Sequence, residues 1–255
     1  MERVIRAMQD NLGEPITIDD MARTAMFSKF HFSRMFQRVT GISPGRFLSA
    51  LRLQEAKRLL LTSSLTVADI SHLVGYNSIG TFSSRFRMSV GVSPTTYRQF
   101  GGLVAPLDEH LRPGRHGHGE HSVVRGHVHH AADSRPGHIL MGLFPDRIAQ
   151  GMPVRHITLA EAGAFTLSDV PAGKWYLIAR SVGAGFDTHE AGEVYVSALG
   201  PIAVADGKPL RSVDMWLRPR LIFDPPALLA QLDETMLVTG ARAPDRAEET
   251  ALPGA

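Results

Sequence analysis

Along the first hundred residues apolar side chains recur every three or four positions, the period of a helix with one buried face. Val4, Ile5, Met8 and Leu12 mark such a face, and Gly13 and Pro15 end it. Thr17-Ile18-Asp19-Asp20 and Thr66-Val67-Ala68-Asp69 each set a hydroxyl three residues before a carboxylate, a capped helix start. From about residue 138 to 223 the period shortens to two. His138–Phe144, Val154–Leu159, Ala164–Val170, Lys174–Val182, Glu193–Leu199 and Ser212–Leu217 alternate, with turn residues such as Pro145-Asp146 and Pro171-Ala172-Gly173 between them. Short strands at this spacing predict a small antiparallel β-sandwich over 138–235, closed by a short helix at Ala227–Glu234. The Gly- and His-rich stretch 101–137 reads as a linker, and 236–255 as a disordered tail. The fold class expected is multi-domain, α plus β: an all-α region over 1–100 followed by the sandwich.

The all-α region repeats itself. Met21-Ala22-Arg23-Thr24-Ala25 aligns with Ile70-Ser71-His72-Leu73-Val74 at an offset of 49. One residue is inserted near Gly80. After it Phe32 matches Phe82, Phe36 matches Phe86, Gly41 matches Gly91, Ser43-Pro44 matches Ser93-Pro94, and Phe47 matches Tyr97. Apolar size and turn chemistry coincide at each place, so one supersecondary unit is used twice. Each unit, about 17–41 and 66–91, parses as helix-turn-helix. Ile18–Ala25 and Val67–Val74 are the short first helices. Met26-Phe27-Ser28 and Gly75-Tyr76-Asn77 are the turns. Lys29–Val39 and Ile79–Ser89 are the second helices, ended by glycine. Ser-Pro opens a further helix after each unit, hydroxyl at the cap and proline in the first turn. Between the units a helix over about Pro44–Leu61 spans ~27 Å. A spacer of that order holds two reading helices roughly one DNA turn (~34 Å) apart.

Charge sharpens this picture. The 255 residues carry a net +2, but residues 1–100 hold thirteen Lys and Arg against seven Asp and Glu, and the remainder fourteen against eighteen. A basic head on an acidic body is a footprint of nucleic-acid binding. With no cysteine in the chain, a disulfide framework, a thiolate metal site and a cysteine nucleophile are excluded. No apolar run approaches the ~18 residues of a membrane helix, so the expected location is cytoplasmic, away from membranes.

With Phe32, Met35 and Phe36 turned inward, the first long helix offers Lys29, Phe30, Ser33, Arg34, Gln37 and Arg38. With Phe82 and Phe86 inward, the other offers Ile79, Gly80, Thr81, Ser83, Ser84 and Arg87. A helix fits the major groove, and its N-terminal half meets base edges. Arg34 can bond a guanine with two N–H groups, whereas Arg38 and Arg87 lie further along and suit phosphates. Either helix alone is equally well an ordinary solvated face; the paired motif is what favours recognition.

Met21-Ala22, Ser28-Lys29-Phe30-His31-Phe32-Ser33-Arg34-Met35-Phe36, Gly41-Ile42-Ser43-Pro44, Arg52-Leu53, Ala56, Leu59-Leu60, Ile70, Gly75-Tyr76, Phe82, Arg85-Phe86, Gly91-Val92-Ser93-Pro94 and Tyr97-Arg98 together resemble the DNA-binding domain of the AraC/XylS family of bacterial transcription regulators. The resemblance covers roughly residues 4–100. It implies that Phe30, Ser33, Arg34, Gly80, Thr81, Ser83 and Ser84 contact bases or backbone. The exposed face adds Ile79 to the base-reading set and Lys29, Gln37, Arg38 and Arg87 to a phosphate set. Ile79-Gly80 lacks polar side chains, so the second helix leans toward shape or phosphate reading. The segment Gly163–Leu177, with its Val170-Pro171-Ala172-Gly173 turn and Trp175-Tyr176, resembles a transthyretin-like sandwich of the carboxypeptidase-regulatory type, which implies a fold but no ligand.

Other chemistry is weaker. Gly41-Ile42-Ser43-Pro44-Gly45 fits a hydrolase elbow, but a helix precedes the serine where that chemistry needs a strand, so it reads as a cap. His110, His116, His118, His121, His127, His129, His130 and His138 are chelating residues in a linker that supplies no fixed geometry, so no metal or other cofactor is assigned. Trp175, Tyr176, Tyr195, Trp216 and Phe223 read as core, and Arg180, His189 and Glu190 lie near a loop able to meet a polar ligand. A relative with this reader transfers alkyl groups to cysteine; that activity is excluded here, and no enzyme is expected. The expectation is a sequence-specific transcription regulator of double-stranded DNA, acting as monomer or homodimer. Its sandwich would sense a small-molecule effector or mediate self-association, with RNA polymerase as a further partner. The alternative is a DNA-binding adaptor whose sandwich recruits a protein.

Overall fold

The computed structural model describes residues 1–102, 122–183, 193–205 and 212–229. Among the described residues seven helices come first: α1 (Glu2–Asp10), α2 (Ile18–Ala25), α3 (Lys29–Thr40), α4 (Pro44–Thr62), α5 (Val67–Leu73), α6 (Ile79–Val90) and α7 (Pro94–Gln99). Their starts are set by the side chains that the sequence offered. Thr17 and Thr66 each close a reciprocal capping box, with Asp20 and Asp69 respectively. Ser28 and Ser78 accept from the N–H three residues on, His31 and Thr81. Gly41 and Gly91 end α3 and α6 at φ 81° and 100°, where a Cβ is unfavourable. Ser93 accepts from Thr96 N–H, but Ser43 makes no side-chain capping bond and relies on its extended backbone and Pro44.

The two helix pairs pack alike. Phe32, Phe36 and Phe47 form one aromatic chain, with ring centroids 5.5 and 5.4 Å apart. Phe82, Phe86 and Tyr97 form the other, at 5.7 and 5.6 Å. All six rings are buried. The nineteen residues of α4, about 28 Å long, run between the pairs. Lys57 of α4 is 2% exposed and donates to the carbonyls of Leu228 and Leu229 at 3.1 and 3.5 Å, because the C-terminal segment covers that face.

Seven strands follow among the described residues: β1 (Ser122–His130), β2 (Pro136–Phe144), β3 (Arg155–Leu159), β4 (Ala164–Val170), β5 (Gly173–Gly183), β6 (Val194–Val204) and β7 (Val213–Pro219). Their order is β3-β2-β5-β6-β7-β1-β4. β7 divides its pairing: residues 213–217 lie along β1, and 218–219 along β6. At the ends of the order β3 and β4 approach each other, and Arg155 donates to the Ser168 carbonyl at 3.2 Å, so the sheet nearly closes. Val124, Leu143, Leu167, Leu177 and Met215 fill the inside.

Several expectations change. β1 occupies residues assigned to the linker. Its Val124 and Val128 are buried on alternate positions, a period-two signal masked by the intervening histidines. The β1–β7 pair is parallel, so the region is not wholly antiparallel. A side chain at Gly126 would meet the Val213 carbonyl oxygen at 1.7 Å, so only glycine permits that approach. No helix begins at Ala227, where residues 227–229 are irregular; 230–234 and the tail 236–255 lie outside the described residues. Trp216 is 63% exposed rather than core, stacked on His129. Phe223 packs on the helical core.

Candidate nucleic-acid interface

The surface in question is the outer side of α3 and α6. On α3, Lys29, Phe30, Arg34, Gln37 and Arg38 are exposed and Ser33 is half-buried. On α6, Ile79, Gly80, Thr81, Ser84 and Arg87 are exposed and Ser83 is half-buried. Every residue proposed from sequence therefore stands on the solvent side of its helix, opposite the buried phenylalanines.

Their chemistry is uneven. Arg34 makes no hydrogen bond or ion pair among the described residues, so its five N–H donors face outward. Lys29 is held by Asp19 of α2, Nζ to Oδ2 at 3.1 Å, and a phosphate would have to compete for it. Ser33 donates to the Lys29 carbonyl at 2.8 Å, which leaves its oxygen to accept only. Phe30, 83% exposed, is an apolar probe of the size that packs on a thymine methyl. Met26 and Phe27 continue that apolar edge, and Phe27 stacks edge-on against His31 at 4.7 Å. Near α6 the side chains are short, except for Arg85, Arg87 and Met88, all exposed.

The acids in this region stand at helix starts. Thr17 hydroxyl and backbone N–H hold the Asp20 carboxyl below its ordinary range, and Thr66 does the same for Asp69. Each stays ionised beside the positive end of its helix.

Residues to which the sequence assigned no site role hold the two pairs in place. Arg52 of α4 donates to the carbonyls of Leu12, Gly75 and Glu14 at 2.9, 3.0 and 2.7 Å, tying the first loop to the second turn; burial pulls its pKa down. Gly75, at φ 80°, leaves room for this: a Cβ there would lie 2.5 Å from the Leu12 oxygen and 2.6 Å from Arg52 Nη2. The loop between β2 and β3 touches the C-terminal ends of both α3 and α6. Arg46 pairs with Asp146 at 2.5 Å, and Arg147 lies over Gly41. Gly151 N–H donates to the Ser89 carbonyl at 2.8 Å, and Ile148 is buried in the helical core. Nothing in local periodicity marks that loop as a partner of the helices.

Of the chelating histidines, His127, His129 and His130 lie on β1 and His138 on β2, whereas His110, His116, His118 and His121 fall outside the described residues, as do His189 and Glu190. Among the described residues no three His, Asp or Glu gather as a metal site, and no helix is long and apolar enough to cross a membrane.

Paired helix units on a basic region, with cationic and short polar side chains outward, define a DNA-binding helical domain. A family model described as a helix-turn-helix domain matches residues 21–99. The HTH-type transcriptional activator AarP of Providencia stuartii is 32% identical over 91 residues, 36% of this chain and 67% of that protein. The HTH-type transcriptional regulator GbdR of Pseudomonas aeruginosa is 31% identical over 107 residues, 42% of this chain and only 29% of its own length. A solved transcriptional regulator from Chromobacterium violaceum with an AraC-type DNA-binding domain is 26% identical; the match covers 44% of this chain and 92% of that one, with a TM-score of 0.37. The chain belongs to the helix-turn-helix family of transcription regulators that these relatives represent.

Proposed function

We propose that the chain is a sequence-specific transcription regulator of double-stranded DNA in which α3 and α6 enter adjacent major grooves, and that its β region, a transthyretin-like sandwich, senses an effector. The observation that carries the DNA reading is the duplicated scaffold: equal caps, equal aromatic chains and glycine ends present two helices whose outer faces hold no buried or self-satisfied cation except Lys29. In this reading Arg34, Phe30, Ser33, Ile79, Gly80, Thr81, Ser83 and Ser84 approach base edges, and Lys29, Gln37, Arg38 and Arg87 approach phosphates. Because one chain carries both reading helices, a monomer suffices for two grooves.

Selection of bound duplexes from a random pool tests it. A recovered consensus with two half-sites about one helical turn apart supports the reading, and a pool that stays random overturns it. The adaptor reading rests on a separate observation, the exposed stack of His127, His129 and Trp216 on the outer side of β1 and β7, with centroids 4.6 and 4.7 Å apart. Retention of DNA selectivity with no response to any small molecule would favour it.

A further inference from the structure

The loop between β2 and β3, residues 145–154, leaves the sheet and enters the helical region. Its base is closed by Val154 N–H, which donates to the Leu143 carbonyl at 2.8 Å, and Pro145 and Pro153 fix φ near either end. Midway along it Ile148 is 2% exposed and belongs to the helical core, not to the core of the β region. Ala149 beside it packs with Phe144 and Leu229, and its carbonyl accepts from Leu228 N–H at 2.9 Å. Burial in two cores makes this loop a rigid part, unlike a connection that only runs over the surface.

Its two halves meet the two helix units at matching places. Asp146 pairs with Arg46 at the start of α4, Oδ2 to Nη1 at 2.5 Å, and Arg147 lies over Gly41, the end of α3. Gly151 N–H donates to the Ser89 carbonyl of α6 at 2.8 Å, and Met152 lies near Gly91, its sulfur 3.9 Å from where a Cβ would stand. Gly41 and Gly91 are equivalent residues of the repeat, so the loop bridges the same corner of both units. Gly151 is itself at φ 66°, and a Cβ there would lie 3.2 Å from the Met88 carbonyl oxygen, so glycine suits this approach. Asp146 and Gly151 are five positions apart, and a chain of that length reaches about 18 Å at most. The two corners cannot part beyond that reach without unseating the loop.

The helical region holds its reading helices from other sides. α3 packs on α2 and α4, and α6 on α5 and α7. Arg52 ties the loop before α2 to the turn before α6. The β2–β3 loop adds a tie at the C-terminal ends. Its Arg46–Asp146 pair is exposed and contributes little; the buried Ile148 side chain and the Gly151 bond carry the hold.

We propose that the β2–β3 loop is a strut that sets the separation and angle of α3 and α6, with Ile148 and Gly151 as positioning residues, and that it thereby selects the spacing between half-sites on DNA. The spacing half rests on the DNA reading above; the strut half does not. One added base pair moves a half-site about 3.4 Å along the duplex and about 35° around it, so a fixed pair of helices accepts one spacing and a loosened pair accepts several.

The chain has no cysteine, so Gln37→Cys and Arg87→Cys, at equivalent exposed places on α3 and α6, carry one spin label each in the full-length protein. Double electron–electron resonance is expected to give one narrow distance distribution. Adding Ile148→Gly, or Gly151→Pro, which can neither donate to Ser89 nor hold φ 66°, is expected to make it about twice as wide. In unlabelled protein, affinity is read for a selected duplex and for duplexes with the half-sites one base pair closer or further apart. The unsubstituted loop is expected to lose about tenfold or more on either change, and the loop variants about threefold or less. Val124→Ala, in the β interior and outside the loop, lowers stability but keeps the narrow distribution and the steep spacing profile. If Ile148→Gly fails to fold, Gly151→Pro, which removes no buried side chain, decides. A broad distribution with the unsubstituted loop, equal widths with and without the loop substitutions, or the same broadening in Val124→Ala overturns the strut. A wider distribution with an unchanged spacing profile overturns the selection of spacing. If no duplex is ever selected, the DNA reading has failed, and the label distances still decide the strut.

Discussion

The α2–α3 and α5–α6 pairs are one design carried out twice, and they differ where it matters for recognition. Inside, they are interchangeable: Phe32 and Phe82 are each fully buried, each stacks on a phenylalanine one turn later, and each following helix adds a third ring, Phe47 or Tyr97. Outside, α3 carries Arg34, Lys29, Arg38 and a bare Phe30, whereas the N-terminal half of α6 carries Ile79, Gly80, Thr81 and serines. The turns differ too. Met26 and Gly75 occupy equivalent places, both left-handed, at φ 57° and 80°. Met26 is 80% exposed, but Gly75 lies under Arg52 and against Leu12. Packing confines divergence to side chains of similar bulk, such as Phe47 and Tyr97, because both cores must fill the same shape, while the surface diverges freely and so acquires separate tasks.

If the interiors are equivalent, Phe36→Ala and Phe86→Ala should each cost about 3–5 kcal/mol in chemical denaturation, and within about 1 kcal/mol of each other. A much smaller loss for one would break the equivalence. The turns should separate: Gly75→Ala is expected to cost about 2–3 kcal/mol from strain and overlap, and Met26→Ala less than about 0.5, as read from melting curves. The outer faces should separate on DNA. Arg34→Ala should lose about 1–3 kcal/mol of affinity and relax base preference, and Thr81→Ala less than about 1 kcal/mol; Arg87→Ala should weaken all duplexes and flatten the salt dependence. Equal losses at Arg34 and Thr81 would remove the claimed asymmetry.

The smallest effects return to equivalence. Thr17→Ala and Thr66→Ala should each cost about 1 kcal/mol in thermal melts. Asp20 and Asp69 are more acidic in the folded chain than in the unfolded one, so their contribution is present above about pH 4 and is lost as pH falls through their lowered folded values. Asp20→Asn and Asp69→Asn should each make stability less dependent on pH in that acid range, and by similar amounts.

Much of the helical region was legible because its signals are local. A capping box needs four residues, a glycine end needs one, and the aromatic pairs are a turn apart. The candidate reading residues were legible for the same reason, since helical period alone separates outer from inner positions. β1 was hidden because histidines at 127, 129 and 130 dominate its composition, although Val124 and Val128 alternate as a strand should. The burial of Lys57 was hidden because nothing near it in sequence announces Leu228, 171 residues away, as its acceptor.

By itself the chain determined the repeat, the two capped helix pairs, the basic half and which residues face outward, all properties of spacing within a few turns. Only tertiary structure decided that β7 joins β1 in parallel, that Arg52 ties two turns together, and that one loop of the β region meets the C-terminal ends of both α3 and α6. Those are meetings of residues far apart along the backbone, brought together by burial of apolar surface that has no direction of its own and leaves no periodic trace in sequence.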